Sequence, residues 1–115
     1  MLTRNFQALG RLKAGAMNKT EREYADLLEL RKRAGEVAWW AFEPFKIRLA
    51  DRTFYDVDFG VMLADGRLEV HEVKGGFITD DGRVKLKIAA ELFPAQFYLC
   101  QKVKKAWSVE VVGRA

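Results

Sequence analysis

The sequence predicts a single α/β (α+β) domain in which helices flank a central mixed β-sheet. Three observations support this fold class. A capped helical pattern occupies residues 20–34, four strand-like segments follow between residues 37 and 74, and a second helical pattern over residues 82–93 precedes two more strand-like segments. The chain has 115 residues, half of them hydrophobic and 31% charged, which is typical of a globular protein with one hydrophobic core.

The first helix is expected to begin at Thr20 and to end at Gly35. Glu23, three residues after Thr20, would complete a capping box, and the apolar side chains of the helix recur on one face. Glu21 shares that face, one turn nearer the N-terminus. An acid at this position either interacts with the helix dipole or reaches into a site behind the sheet, and the sequence leaves both alternatives open.

The strand-like segments are residues 37–42, 45–50, 57–63 and 67–74, followed after the second helix by residues 95–103 and 107–112. Asp65-Gly66 predicts a hairpin between the third and fourth segments, Pro94 ends the second helix, and the last strand is expected at an edge. By strand alternation, Asp56 and Asp58 should share one face, and Val57, Phe59 and Val61 the other.

A candidate site lies at the end of the fourth strand. Alternation places Glu72 and Lys74 on the same side as the apolar residues Leu68 and Val70, and normal hairpin pairing would bring Asp58 close to Glu72. Two adjacent carboxylates repel each other, and a hard cation between them relieves the repulsion. We therefore predict a Mg²⁺ or Mn²⁺ site formed by Asp58 and Glu72, to which the backbone carbonyl of Val73 could add a ligand.

Lys74 has three candidate roles beside such a metal. It could orient the attacking water, lower the pKa of that water, or neutralise a pentacovalent phosphate. Burial and a nearby metal are expected to lower the pKa of Lys74 itself. Glu21 could hold a second metal or an outer-sphere water. These residues together predict the catalytic set of a metal-dependent phosphodiesterase.

The basic residues form three clusters, although the formal net charge of +4 permits a polyanionic partner without requiring one. Residues 1–16 are expected to form a basic arm that precedes the domain of residues 17–115. We expect Arg83, Lys85, Lys87 and Lys19 to contact DNA phosphates, although basic runs are also typical of solvated surface. The clusters are Arg4, Arg11, Lys13 and Lys19; Arg83, Lys85 and Lys87; and Lys102, Lys104 and Lys105.

The remaining chemically distinctive side chains are expected to be structural. Cys100 is the single cysteine and His71 the single histidine, which excludes an intrachain disulfide and a structural zinc site. Cys100 is expected to be buried, and His71 to be structural or solvent-exposed. The aromatic residues of the first strands are expected in the core or at a dimer contact rather than as base-stacking platforms; they are Trp39, Trp40, Phe42 and Phe45.

The sequence gives no indication of a membrane partner. No apolar run approaches the length of a bilayer span, and the N-terminus lacks the apolar core of a signal peptide. We therefore expect a cytoplasmic protein without membrane contact.

The order of elements and the motif Asp58…Glu72-Val73-Lys74 resemble the PD-(D/E)xK nuclease superfamily, whose restriction-endonuclease-like core is an α-β-β-β-α-β unit. The resemblance spans residues 11–112. Within the superfamily, it points to a small phage- and prophage-encoded group related to resolvase-type endonucleases that act on branched DNA. The segments that carry this resemblance are MNKTEREYADLL, FEPFKIRLAD, YDVDF, EVHEVKGG and RVKLKIAAELFP.

By this resemblance, Asp58 corresponds to the motif aspartate, Glu72 to the second acid, Lys74 to the motif lysine and Glu21 to the helical acid. Val57 departs from the pattern, because the superfamily has proline at this position. The resemblance implies products with 5′-phosphate and 3′-hydroxyl ends and a phage-encoded protein in a bacterial host cell.

The sequence therefore predicts a Mg²⁺- or Mn²⁺-dependent endodeoxyribonuclease that acts on branched or duplex DNA. A chain this small has little surface for reading a base sequence, so recognition of DNA structure is favoured, and a homodimer would supply two cuts on a four-way junction. Two alternatives stay open. One is a catalytically inactive nucleic-acid-binding module of the same fold, and the other is a phage interaction protein in which the acids and the lysine form a buried structural network.

Overall fold

The computed structural model describes residues 15–113, which form one α+β domain. Five strands form a mixed sheet in the order β1-β4-β5-β6-β7, and β2 and β3 form a separate two-stranded sheet. The predicted single α+β domain with a mixed sheet and helices is confirmed. The elements are α1 (Lys19–Arg33), β1 (Val37–Phe42), β2 (Lys46–Ala50), β3 (Thr53–Asp56), β4 (Phe59–Leu63), β5 (Leu68–Lys74), α2 (Asp80–Leu92), β6 (Gln96–Val103) and β7 (Ala106–Val112).

Strands β4 and β5 form the predicted antiparallel hairpin, with Phe59 opposite His71. The Leu63 N–H donates to the Arg67 carbonyl at 2.8 Å, and Gly66 in the turn has a φ of 93°, a conformation that glycine adopts without strain. Strand β6 runs parallel to β5, since α2 makes the crossover between them, and β7 pairs antiparallel with β6. As predicted, β7 lies at an edge of the sheet.

The hydrophobic side chains form two clusters on opposite faces of the large sheet. One cluster, under α1, consists of Tyr24, Ala25, Leu28, Val37, Phe59, Val61, Val73 and Cys100. The other, under α2 and the β2–β3 hairpin, consists of Ile47, Tyr55, Val57, Val70, Leu86, Ala89, Phe97, Leu99 and Val112. Strand β5 contributes alternate residues to both clusters, so it forms the centre of the domain.

The start of α1 differs from the sequence prediction. Asn18, not Thr20, is the N-cap: its side chain accepts a hydrogen bond from the Glu21 N–H at 2.8 Å, and the Glu21 carboxylate accepts one from the Asn18 N–H at 2.9 Å. The capping box is therefore Asn18 with Glu21 rather than Thr20 with Glu23. Both spacings fit the motif in the sequence, and the buried face of the helix decides between them by fixing where the first turn begins.

The prediction of four strands before the second helix missed β3. Arg52, with a φ of 55°, forms a tight turn after Asp51, and the four residues of β3 pair with β2. The predicted shared face of Val57 and Phe59 is wrong, because the Val57 N–H donates to the Phe45 carbonyl at 3.2 Å and continues the small sheet, whereas Phe59 begins β4.

The second helix begins at Asp80, two residues earlier than predicted, with Thr79 as its N-cap. Leu86 and Ala89, which belong to one apolar row of this helix, are buried. The other apolar row of this helix, formed by Val84, Ile88 and Leu92, is exposed. The helix therefore buries only one of its two apolar rows against the sheet.

Between residues 15 and 113, neither helix combines the length and the apolar character that crossing a membrane requires. The predicted basic arm of residues 1–16 lies outside the described part of the chain except for Gly15 and Ala16.

Close contact between Gly75 and Thr20 positions the N-terminal end of α1 against the end of β5. A Cβ atom added at Gly75 would lie 2.8 Å from Thr20 Oγ1, closer than a carbon and an oxygen can pack. A Cβ added at the neighbouring Gly76 would meet nothing within 4 Å. The absence of a side chain at Gly75 therefore brings the first turn of α1 next to the end of β5.

We expect Gly75→Ala to lower the free energy of unfolding by about 1–3 kcal/mol through this overlap. Gly76→Ala is the matched control and should change stability by less than about 0.5 kcal/mol. In a Thr20→Ala background, which removes the overlapping oxygen, the cost of Gly75→Ala should fall. Urea denaturation of the four variants measures these values, and an equal cost in both backgrounds would contradict the contact.

Candidate active site

The candidate site lies where β5 ends, and it contains the predicted pair of Glu72 and Lys74. Lys74 Nζ lies 3.2 Å from Glu72 Oε2. The Glu72 side chain is 8% exposed, whereas that of Lys74 is 41% exposed. The two residues are therefore neighbours on one face, as strand alternation predicts, with the carboxylate buried and the ammonium near solvent.

Asp58 lies at the point where the chain passes from the small sheet to the large one. The register of β4 and β5, continued by one residue beyond Phe59 and His71, places Asp58 opposite Glu72. The ladder ends there, and Asp58 Oδ2 accepts a hydrogen bond from the Val73 N–H at 2.9 Å in place of a strand partner. The predicted approach of Asp58 to Glu72 is therefore present, but Asp56 does not share this position, since it is exposed and pairs with Lys46.

The environment of Asp58 opposes its ionisation. Burial raises the pKa of its carboxyl well above the ordinary value of 3.8, and the negative charge of Glu72 raises it further. The Val73 N–H and the Lys74 ammonium act in the opposite direction without cancelling the rise. A charged Asp58 beside a charged Glu72 is therefore unfavourable unless further positive charge enters the site.

Tyr55 is a member of the site that sequence reasoning missed. Its O–H donates a short hydrogen bond to Glu72 Oε1, so the two oxygens of this carboxylate contact Tyr55 and Lys74 separately. Burial, followed by the charge of Glu72, raises the pKa of Tyr55, which keeps the hydroxyl protonated as a donor. A buried tyrosine hydroxyl usually has a polar partner, but the sequence reasoning did not recognise the strand that turns Tyr55 inward.

Glu21 both caps α1 and interacts with the site, so the two alternatives for this residue are compatible. Burial raises the pKa of Glu21, the hydrogen bond from Asn18 lowers it, and the charge of Glu43 raises it. Weaker effects come from Lys74 and Glu72. Glu21 is thus close enough for electrostatic interaction with the pair on β5, although its carboxylate is engaged in the capping box.

Glu43 is a further acid near the site, and the sequence reasoning did not single it out. Its N–H donates to the Asp58 carbonyl at 2.7 Å, and its Oε1 accepts from the Gly15 N–H at 3.3 Å. The φ of Glu43 is 49°, an uncommon conformation for a residue with a side chain. In the sequence, Glu43-Pro44 reads only as a turn between strands, which is why its proximity to Asp58 could not be predicted.

Burial and a nearby metal were expected to lower the pKa of Lys74, and the structure bears on the first of these causes. Burial does lower it, but the charges of Glu72 and Asp58 outweigh burial, and the pKa of Lys74 is raised. The side chain is therefore an ammonium at neutral pH. Lys74 can donate hydrogen bonds and neutralise negative charge, but it is not a base in this arrangement.

The donor set of the site suits a metal that needs few protein ligands. Among residues 15–113, no group of three or more histidine, cysteine, aspartate or glutamate side chains lies close enough to hold a metal ion. Mg²⁺ is commonly held by one or two carboxylates together with waters and substrate phosphate. Asp58 and Glu72 meet that smaller requirement, and the observation that fits a cation is the position of the part-buried Asp58 carboxyl opposite Glu72.

The residues predicted to bind nucleic acid are distributed over both helices. Lys19 is exposed at the first residue of α1, one residue before Thr20, which contacts Gly75. Lys85 and Lys87 are exposed on α2. Arg83 donates to Glu110 on β7 at 3.0 Å, which directs its guanidinium toward the sheet edge.

His71 lies on the opposite face of β5 and is structural, one of the two alternatives for it. It is 3% exposed, with Nδ1 2.5 Å from the Tyr24 hydroxyl and Nε2 2.9 Å from Glu69 Oε1. A carboxylate only accepts hydrogen bonds, so Nε2–H donates to Glu69, and in the neutral ring Nδ1 then accepts from the Tyr24 O–H. This network attaches α1 to β5.

Cys100 is buried as predicted, with its Sγ 3.3 Å from the Tyr24 hydroxyl. Burial raises the pKa of Cys100 to about 11, so the thiol stays neutral. Most of the aromatic residues are in the core, as expected: Trp40 and Phe42 pack against Phe59, and Phe45 packs against Phe93, whereas Trp39 is partly exposed.

Comparisons of this chain with protein-family models, with curated proteins and with solved structures found no significant match. The resemblance to PD-(D/E)xK nucleases therefore stays a prediction from the sequence motif.

We expect Asp58→Asn to become progressively more stable than the wild type as the pH rises. The raised pKa of Asp58 means that protonation favours the folded state, a contribution that is present below about pH 3.8 and is lost as the pH rises through the raised pKa. Asparagine keeps an oxygen for the Val73 N–H without the charge. The measurement is the difference in melting temperature between variant and wild type from pH 4 to 8.

Asp56→Asn removes an exposed carboxylate from the same segment and controls for the change in net charge. A difference between Asp58→Asn and wild type that is independent of pH, or that shrinks as the pH rises, would contradict the assignment.

Proposed function

We propose that this protein is a Mg²⁺- or Mn²⁺-dependent endodeoxyribonuclease that hydrolyses phosphodiester bonds. The observation that carries the proposal is the pair of Asp58 and Glu72, two acids held together at a strand end beside the partly exposed ammonium of Lys74. Metal-dependent phosphodiester hydrolysis needs carboxylates for a cation and positive charge near the phosphate.

Asp58 and Glu72 would hold the cation, with the backbone carbonyl of Val73 as a further candidate ligand. When bound, the metal would supply Lewis-acid activation of water and of the phosphate. Tyr55 fixes one oxygen of Glu72 and thereby orients the carboxylate. Glu21 lies at the edge of the site, and its carboxylate already accepts the capping hydrogen bond from the Asn18 N–H. The same carboxylate could also accept a hydrogen bond from an outer-sphere water.

Lys74 acts as a cation in this proposal. Its pKa is raised and its side chain is 41% exposed, so the ammonium can contact a phosphate in solvent while it remains next to Glu72. Of the three roles considered from the sequence, neutralising the charge that develops on the phosphate fits best. Orienting the attacking water is compatible with the same geometry.

The topology supports a restriction-endonuclease-like core. If the β2–β3 hairpin is treated as an insertion, the remaining order α1-β1-β4-β5-α2-β6 reads α-β-β-β-α-β. In this order the first acid, Asp58, immediately precedes β4, and the second acid and the lysine lie at the end of β5, which is the order of the motif of that superfamily. The arrangement β1-β4-β5 is antiparallel, and β5-β6 is parallel.

A cutting assay tests the proposal directly. Labelled four-way-junction, flap and linear duplex DNA would be incubated with the protein in Mg²⁺, Mn²⁺ or EDTA. We expect metal-dependent cutting with preference for branched DNA, reduced at least about 100-fold by Lys74→Ala and by Asp58→Asn. Lys46→Ala and Asp56→Asn, which change an exposed ion pair of the small sheet, are the matched controls.

Failure of a folded wild type to cut any of these substrates would contradict the enzyme. DNA binding that persists without metal and is unaffected by Lys74→Ala would then favour the inactive binding module. That alternative shares the fold and the basic surface, so catalysis is the property that distinguishes the two.

We also propose a homodimer, since β7 is an edge strand whose exposed apolar side chains include Val109 and Val111. A dimer would give two sites for a four-way junction. Sedimentation should show a mass of about twice 13.2 kDa, at least with junction DNA bound. Only monomer, with and without DNA, would contradict the dimer.

A further inference from the structure

Phe77 has the highest exposure of any large hydrophobic side chain in the described part of the chain, and it lies next to the candidate site. It is 88% exposed, three residues beyond Lys74, in the loop that joins β5 to α2. Single exposed hydrophobic residues are common, so exposure alone does not indicate a function. The position of Phe77 and the way its loop is held make it informative.

The loop around Phe77 is anchored on both sides. Before it, Gly75 packs against Thr20, and the Gly76 carbonyl accepts a hydrogen bond from the Gln101 side chain at 2.9 Å. After it, Ile78 packs against the hydrophobic cluster under α2, and Thr79 caps that helix. The backbone is therefore fixed while the Phe77 ring projects into solvent.

The ring is within reach of the nucleotides that flank a phosphate at Lys74. Three residues span at most about 11 Å. Successive phosphates of one DNA strand are about 3.4 Å apart along the duplex axis, so Phe77 can contact a base within about three nucleotides of that phosphate. Every base has a π face, and stacking on an aromatic side chain needs the base to be unpaired or unstacked.

The charges around Phe77 favour contact with a base over contact with a phosphate. Asp80 and Asp81, exposed in the first turn of α2, repel phosphates from the end of this loop. Lys74, at the end of β5, supplies positive charge on the other side of the loop along the chain. A DNA strand with a phosphate at Lys74 would thus direct its bases toward Phe77.

We propose that Phe77 stacks on an unpaired base beside the phosphate that is cut, and so selects DNA with a branch, flap or single-stranded end. This inference rests on the proposed nuclease function and specifies the substrate class of the same site. Phe77 is a positioning and specificity residue in this account and takes no part in the chemical step.

The test uses flap DNA that carries 2-aminopurine, a base whose fluorescence falls when it stacks, at each of the first three unpaired nucleotides in turn. Binding is measured in EDTA or Ca²⁺, and cutting of flap and linear duplex in Mg²⁺. The variants are Phe77→Ala, Phe77→Leu and Phe77→Trp. Leu30→Ala, at another exposed apolar residue, is the matched control.

We expect the wild type to quench 2-aminopurine at one of these positions, Phe77→Trp to retain the quenching, and Phe77→Ala and Phe77→Leu to lose it. Phe77→Ala should weaken flap binding about 5- to 100-fold and reduce the preference for flap over linear DNA. Leu30→Ala should behave as wild type. Melting temperatures should not differ, because the ring is exposed.

Each contrary result has its own meaning. If the wild type cuts flap DNA and Phe77→Ala matches it in quenching and preference, this inference is overturned and the nuclease proposal stands. If the wild type cuts none of the substrates, the proposed function is overturned and the inference with it.

Discussion

Two acidic side chains, Asp58 and Glu72, are held together at the end of a central strand, and the surrounding structure determines how their charges are accommodated. Glu72 has the Tyr55 hydroxyl on one oxygen and the Lys74 ammonium on the other. Asp58 has the Val73 N–H, and its pKa remains raised. Burying a charge without full compensation is unfavourable, and a positively charged ligand, as proposed above, would relieve it.

The placement of this pair follows from the path of the chain. The chain leaves the small β2–β3 sheet at Val57 and enters the large sheet at Phe59, so Asp58 belongs to neither ladder. This break frees the Asp58 side chain to bond the backbone of β5. On the other face of β5, the network of Glu69, His71 and Tyr24 holds α1 in position. Strand β5 thereby connects the site to both layers of the fold.

Much of the fold and the centre of the site could be predicted from the sequence, because they depend on local periodicity. The hairpin at Asp65-Gly66 and the strand alternation of Glu72 and Lys74 follow from such patterns. The residues that contact Asp58 and Glu72 where the chain passes from the small sheet to the large sheet could not be predicted. Tyr55 contacts Glu72 because of the missed strand β3, and Glu43 approaches Asp58 through a turn with an uncommon backbone conformation.

The direction of the pKa shift of Lys74 could not be predicted from the sequence either. From the sequence, burial and a nearby metal were expected to lower it, whereas the charges of Glu72 and Asp58 outweigh burial and raise it. The sign of such a shift depends on distances between side chains of different strands, which the spacing of residues in one sequence does not contain. Of the three roles considered for Lys74, we therefore propose that it neutralises charge on the phosphate.

We propose above that Asp58 and Glu72 together bind a divalent cation. Electron paramagnetic resonance of Mn²⁺, in which the signal of the free ion falls on binding, measures this without reference to any substrate. Wild type and Asp56→Asn should both reduce the free-ion signal, whereas Asp58→Asn and Glu72→Gln should leave most of it. A folded wild type that leaves the Mn²⁺ signal unchanged at millimolar protein would contradict the account.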